Sequence, residues 1–354
     1  AVVPLSRLIG KLPVAFVQAF VEHVDPASRS VRTSAGTLTY DRLVIALGSE
    51  TRFFDIPGLR EHALTLKAME DVWAIRRHLC SVFRRAVQAE RGEERNALLH
   101  VVIGGAGFTG VEVACELTDS IPELARSSGV SPDRARITVA EALPSVLQGF
   151  PPKLARYALE VMRRKGIDVR LGQAVVEASA EGVRLKSGEH LAARTVIWVA
   201  GVRANSILEC SGFRTGPGKR LVVNPFLQSV DFKDVYVIGD AALAIDPATG
   251  RPVAASGQMA VEEARTAAYN IIEERRERAK VFKPHVTGEL VALGRGNAVG
   301  TAFGVTVRGR LGQALKHLAD LRYLYVIGGL RLAAGYLFLR RRPATCEGEV
   351  ERDG

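Results

Sequence analysis

An apolar run, Leu98-Leu99-His100-Val101-Val102-Ile103-Gly104, leads into Gly105-Ala106-Gly107-Phe108-Thr109-Gly110, and a helical pattern through Val113, Ala114 and Leu117 follows. A Gly-x-Gly-x-x-Gly loop between strand and helix suits a dinucleotide pyrophosphate. Gly105 permits the tight turn, Gly107 lets the backbone approach the phosphates, and Gly110 allows helix to pack on strand. The helix start adds unpaired N–H groups and the positive end of the aligned peptide dipoles. A glycine triplet alone is a weak signal, but this one has the strand and the helix that the chemistry requires. The next strand, Ile137-Thr138-Val139-Ala140, ends in Glu141. A carboxylate there suits ribose hydroxyls and repels a 2′-phosphate, which favours NADH over NADPH. The gap from the glycines to Glu141 exceeds the usual spacing of about 20 residues, as an insertion around 127–134 would explain. The competing reading is an ordinary Gly-rich loop beside an exposed glutamate. Glu112 is placed on the first turn of the helix, where the dipole alone favours an acid; its alternative place is beside the reacting rings.

A second chemical signal is Val235-Tyr236-Val237-Ile238-Gly239-Asp240, an apolar strand ending in Gly239 and Asp240. An acid at the carboxyl end of a parallel strand faces the crevice where open α/β sheets bind ligands, and it accepts hydrogen bonds from a polyol such as a flavin ribityl chain. Alone it reads equally well as a turn aspartate. Two further apolar strands end in small residues: Val44-Ile45-Ala46-Leu47-Gly48-Ser49, with Ala46 and Gly48, and Trp198-Val199-Ala200-Gly201, with Ala200 and Gly201.

Taken together, these stretches resemble the two-dinucleotide-fold flavoprotein reductases, over nearly the whole chain. Within that superfamily the sequence is similar to the type II NADH:quinone oxidoreductases. The matching segments are Tyr40 to Gly48, Gly105 to Glu112, Ile197 to Val202 and Leu293 to Val299. The resemblance implies an FAD-dependent enzyme that takes hydride from NADH and passes two electrons to a membrane quinone of a respiratory chain, without pumping protons. It implies cofactor contacts at Ala46, Gly48, Gly105, Gly107, Phe108, Thr109, Gly110, Glu141, Ala200, Gly201, Gly239 and Asp240, and Glu112, Gln258 and Glu262 near the reacting groups. The family's quinone-side helix carries an Ala-Gln-x-Ala-x-Gln pattern. Here it reads Gly257-Gln258-Met259-Ala260-Val261-Glu262, so Gln258 matches and Glu262 replaces the second glutamine. The family also implies a first glycine motif, for the FAD pyrophosphate, ahead of residue 1. Alternatives of the same fold are a ferredoxin or rubredoxin reductase and a sulfide:quinone reductase. A non-catalytic NADH-binding fragment is the alternative from another class.

Strands and helices alternating in this way point to an α/β fold. Two nested Rossmann-like dinucleotide-binding domains in three layers are expected, followed by a C-terminal membrane-associating helical segment. The expected divisions are a first part of the FAD-binding domain at 1–95, an inserted NADH-binding domain at 96–215, a second FAD part at 216–284 and a basic amphipathic region at 285–354. With 354 residues, 47% of them hydrophobic and 24% charged, the chain has the composition of a packed globular protein. Its four cysteines, Cys80, Cys115, Cys210 and Cys346, are spaced too widely for a zinc site or a CxxC dithiol. Neither a metal nor a disulfide framework is expected, and mostly reduced thiols suit a cytoplasmic compartment.

The formal charge of +10 is conspicuous toward the C-terminus, where Lys316, Arg322, Arg331 and Arg340 to Arg342 interrupt apolar runs. The internal arginines make spanning a bilayer costly, so a helix lying among anionic headgroups fits better. That places the protein peripherally on the cytoplasmic side of the cell membrane, as the resemblance also implies. A homodimer interface or a solvated tail is the other reading. Nucleic acid is not expected as a partner, because no aromatic-interleaved basic motif accompanies the charge.

Overall fold

The computed structural model describes residues 5–9, 12–90, 92–131, 134–273 and 278–339, without the side chains of 6, 7 and 336–339. In chain order the elements begin with α1 (Leu5–Ile9), β1 (Val21–Asp25), β2 (Ser30–Thr33), β3 (Gly36–Thr39), β4 (Leu43–Ile45), β5 (Ser49–Thr51), α2 (Leu59–His62), α3 (Met69–Gln88) and α4 (Glu93–Leu98). They continue with β6 (His100–Gly104), α5 (Phe108–Ser127), β7 (Arg136–Glu141), α6 (Pro152–Arg164), β8 (Asp168–Leu171), β9 (Val175–Ser179), β10 (Gly182–Leu185), β11 (His190–Ala192) and β12 (Thr195–Trp198). The remainder are β13 (Val202–Ala204), β14 (Leu221–Val222), β15 (Val235–Val237), β16 (Ala242–Leu243), α7 (Gly257–Glu273), β17 (Gly288–Ala292), β18 (Ala298–Ala302), β19 (Val305–Arg308) and α8 (Gly309–Leu339).

The chain divides into two compact units, one from 1–12, 53–201 and 288–354, the other from 13–52 and 202–287. The first is built on a parallel sheet in the order β12-β6-β7-β8. Val101, Val102 and Ile103 of β6 are all buried, as a parallel strand covered on both faces requires. On one face Leu79 and Phe83 of α3, Val111 and Cys115 of α5 and Met162 of α6 join Val101 and Ile103 in one core. On the other, Val102, Val196 and Trp198 pack against Val183 and Leu185 of an antiparallel β11-β10-β9 sheet. Helices, parallel sheet and antiparallel sheet form three layers. Burying each such side chain is worth about 1.5–3 kcal/mol relative to exposure.

The unit borders differ from those expected at 95, 215 and 284. The segment from 53 joins the first unit because the apolar face of α3 is part of its core. The C-terminal region joins it from 288 because Val291, Leu293 and Val299, on and beside the antiparallel β17-β18-β19 sheet, pack into the same core. The second unit contains the antiparallel β1-β2-β3 sheet, the parallel pairs β4–β15 and β14–β16, and the antiparallel pair β5–β13. Ile45, Val235 and Val237 share its core with Met259 and Ala267 of α7.

Helix α8 breaks at Gly329 (φ +69°, ψ −169°), which divides it into two segments. Among the described residues no helix is long and apolar enough to cross a membrane. Arg340 to Arg342 lie outside the described residues. Cys115 and Cys210 are free, whereas Cys80 is disulfide-bonded, which departs from the expectation of reduced thiols at that position.

His100, fully buried at the start of β6, ties two layers together: its Nδ1–H donates to the Ala192 carbonyl (2.8 Å) and its Nε2 accepts from the Thr138 hydroxyl (2.8 Å). Burial pushes its pKa down to about 4, against the Ala192 bond, which favours the charged ring. At His100 the folded state therefore binds fewer protons than the unfolded chain between about pH 4 and 6.5, and this residue's contribution to stability falls as pH drops through that window. Replacing His100 by Gln should flatten this dependence, removing about 3 kcal/mol of the difference in unfolding free energy between pH 7 and pH 4. Urea denaturation of both proteins across the range measures it; parallel pH curves would refute the assignment.

Candidate functional site

In the first unit the site grows from the carboxyl end of β6. Gly105 adopts φ +104°, and its N–H donates to the Ala140 carbonyl (2.8 Å), closing the turn against β7. A Cβ on Gly105 would lie 2.6 Å from Ala200 Cα, and one on Gly110 would lie 1.9 Å from the Gly105 carbonyl oxygen. Both glycines are thus required by backbone packed on backbone. Gly107 is different: nothing lies within 4 Å of the Cβ it lacks, and it is exposed at the N-cap of α5. Neither a side-chain cap nor a first-turn acid closes that end of α5, which suits its N-terminal N–H groups to an anion. Phe108 and Thr109 are exposed on the first turn, with the Phe108 ring held edge-on by Phe150 at 5.4 Å.

Glu141 ends β7 half-buried. One carboxylate oxygen accepts the Ala106 N–H (2.6 Å) and the other the Leu143 N–H (2.9 Å), which fastens the acid to the glycine loop. A carboxylate has about four acceptor positions, so two remain for ribose hydroxyls. The helix after the loop runs 20 residues, to Ser127, and it accounts for much of the long gap to Glu141. The residues present fit a dinucleotide: an uncapped helix end, a glycine with open space above it and a strand-end acid. Ala200 and Gly201, at the end of β12, adjoin the same loop through the Gly105–Ala200 contact.

Glu112 is not on the first turn as expected. It is the fifth residue of α5, and its Oε1 accepts the Ala292 N–H (2.9 Å) and the Lys316 ammonium (2.7 Å). The helix thus holds β17 and α8. Neither partner is near it in sequence, so sequence reasoning missed both.

In the second unit the parallel strands β4 and β15 end side by side. Beyond β4, Ala46 is exposed and Gly48 turns with φ +64°; beyond β15, Gly239 turns with φ +68°. The Ser49 hydroxyl donates to Asp240 Oδ2 (2.6 Å), so Gly48, Gly239 and Asp240 are brought together at one sheet end. Asp240 is half-buried. This strand-end acid fits the ribityl side of FAD; among the described residues no second strand–Gly-x-Gly-x-x-Gly–helix unit occurs. On α7, Gln258 donates to the His285 carbonyl (2.8 Å) and the Thr287 hydroxyl (3.1 Å), and Glu262 is half-buried one turn on. The neighbour of Glu262, Glu263, is buried, and its Oε2 accepts the Gly239 N–H (2.5 Å). Its signal was its place four residues after the buried Met259, a polar residue on the apolar face of a helix.

The first unit's free thiol, Cys115, is buried, and burial pushes its pKa up to about 12, which makes it inert as a nucleophile.

The glycine geometry separates binding from folding. Gly107→Ala fills open space and should leave the thermal midpoint unchanged while weakening NADH at least tenfold, because the methyl stands where the pyrophosphate must approach. Gly110→Ala meets the Gly105 carbonyl and should destabilise the protein by about 1–3 kcal/mol. Calorimetry and titration with NADH read the two effects; equal destabilisation by both would contradict the assignment.

Residues 12–269 match the family model for pyridine nucleotide-disulphide oxidoreductases. The type II NADH:quinone oxidoreductase of Staphylococcus saprophyticus is 31% identical over 338 residues, covering 93% of this chain and 82% of that protein. Among solved structures, NDH2 from Plasmodium falciparum in complex with NADH aligns with a TM-score of 0.80 at 16% identity, over 93% of this chain and 85% of that one. The sulfide:quinone oxidoreductase of Aquifex aeolicus aligns with a TM-score of 0.73 at 20% identity, over 92% and 78%. The chain belongs to the pyridine nucleotide-disulphide oxidoreductase family and, within it, to the type II NADH:quinone oxidoreductases.

Proposed function

We propose that this protein oxidises NADH held on the Gly105–Gly110 loop, uses FAD held at the Gly239–Asp240 turn, and delivers two electrons to a membrane quinone without pumping protons. The observation that carries the reading is the glycine loop clamped to Glu141 through the Ala106 amide. FAD supplies the redox chemistry when bound, accepting hydride and passing electrons on. The protein's own work is alignment and charge. Gly105, Gly107, Phe108, Thr109 and Gly110 seat the pyrophosphate at the start of α5, and Glu141 takes the adenosine ribose and repels a 2′-phosphate. Ala200 and Gly201 provide backbone without bulk beside the loop, as Ala46 and Gly48 do beside Asp240. Glu112, Gln258 and Glu262 are assigned to the reacting groups, with Gln258 and Glu262 toward the quinone. Glu112 keeps that assignment alongside its bonds to Lys316 and the Ala292 amide.

The quinone is a lipid, and α8 suits a peripheral place beside it. Leu311, Leu318, Tyr325 and Leu330 are exposed on it, with Arg310, Arg322 and Arg331 interspersed. An apolar and basic helix of this kind binds anionic headgroups without spanning the bilayer.

Three outcomes are expected. The FAD-loaded protein oxidises NADH with a soluble quinone analogue, and absence of turnover would reject the reading. Glu141→Gln lowers the NADH-over-NADPH preference in kcat/KM by about tenfold or more, since one repelling charge is removed. Removing residues after Gly309 abolishes sedimentation with anionic vesicles; unchanged sedimentation would exclude α8 as the membrane surface.

A further inference from the structure

The buried face of α7 is Met259, Glu263, Ala267 and Asn270, one stripe at helical spacing. Asn270 has a structural account: its amide donates to the carbonyls of Phe226 (3.1 Å) and Lys280 (2.9 Å) and accepts the Lys280 N–H (2.7 Å). Glu263 is the other polar member, 1% exposed, and a carboxyl there is costly to bury unless it is bonded. It accepts the Gly239 N–H at 2.5 Å, the first amide of the turn that projects Asp240, whose Oδ2 is held by Ser49. Two charged groups act on Glu263: Asp240 from the turn after β15, and Arg220 from the segment before β14. Arg220 donates to the Val253 carbonyl (3.1 Å), while its buried Nε has no hydrogen-bond partner among the described residues.

We propose that Glu263 is a positioning residue for Asp240: its buried carboxyl pins the Gly239 amide, and its protonation state sets how strongly Asp240 accepts the hydroxyls of a bound polyol. This rests on the reading of Asp240 as the acceptor for FAD. The neutral carboxyl is an ordinary acceptor for the Gly239 N–H, whereas the ionised one makes a charge-assisted bond roughly twice as strong. Its charge beside Asp240 also makes that carboxylate a better acceptor, and hydroxyl donors from the ligand relieve the repulsion. Burial pushes the Glu263 carboxyl up to about 7, against the Gly239 bond and the Arg220 charge, so the change of state falls at neutral pH. Flavin affinity is therefore expected to rise with pH across neutrality.

The test compares the full chain with its E263Q and E263L variants from about pH 5.5 to 8.5. One readout is the Gly239 amide resonance in glycine-labelled protein; the other is the dissociation constant for FAD from its fluorescence. Gln keeps an acceptor for Gly239 but does not titrate, and Leu removes the acceptor. In the wild type the amide should shift with one inflection near neutrality and FAD should bind several-fold more tightly above it. E263Q should bind FAD with no pH dependence, near the acid-side affinity of the wild type, and E263L about tenfold more weakly. An amide that shows no inflection, an inflection that survives in E263Q, or unchanged FAD affinity in E263L would each overturn the proposal. A wild-type chain that binds no FAD at any pH would refute the assignment of Asp240 as flavin acceptor, while the amide resonance still decides whether Glu263 pins Gly239.

Discussion

The nucleotide site depends on three stretches of backbone meeting without side chains between them. Gly105 lies against Ala200, and Gly110 against the Gly105 carbonyl, at separations where no Cβ fits. That contact brings the start of α5 to the end of β6 and aims its uncapped amides outward. Glu141 then closes the loop by taking the Ala106 amide, so the acid to which we assign the ribose also sets the shape of the loop. On that assignment, a change in the acid alters both recognition and local folding.

The same helix anchors the C-terminal region. Glu112 receives the Ala292 amide and Lys316, and Asp119, two turns further, receives the Arg295 amide (2.6 Å) and Lys165 (2.6 Å). These half-buried charge-assisted bonds, together with Val291, Leu293 and Val299 in the core, make residues from 288 a structural part of the nucleotide-binding unit. The exposed apolar residues of α8 are thus carried on a helix fastened at its root, whose first segment includes Lys316.

The glycine loop was legible because its demands are steric and local: each glycine answers a requirement of its own turn. The parallel strands were legible as continuous apolar runs, since covering both faces leaves no polar alternation. Boundaries were less so. Residues 69–88 read as a helix, but its membership in the first unit depends on what Leu79 and Phe83 touch. Glu112 read as a helix-start acid because its partners, Ala292 and Lys316, are remote in sequence. Glu263 stands four residues after Met259 on the inward face of α7, but which amide it meets depends on the turn after β15.

From the amino-acid order alone came the parallel strands and the helices beside them, the glycine loop, the strand-end acids Glu141 and Asp240 and the family resemblance, all set by spacing within a few turns of chain, whereas the antiparallel sheet at 288–308 did not. Tertiary structure alone decided which carboxylate does what. Glu141 clips the loop, Glu112 holds the C-terminal sheet and helix, Asp240 is steadied by Ser49, and Glu263 is sealed under Gly239. The reason is physical: a carboxylate's role follows from the donors and the burial around it, and folding brings those donors from distant parts of the sequence.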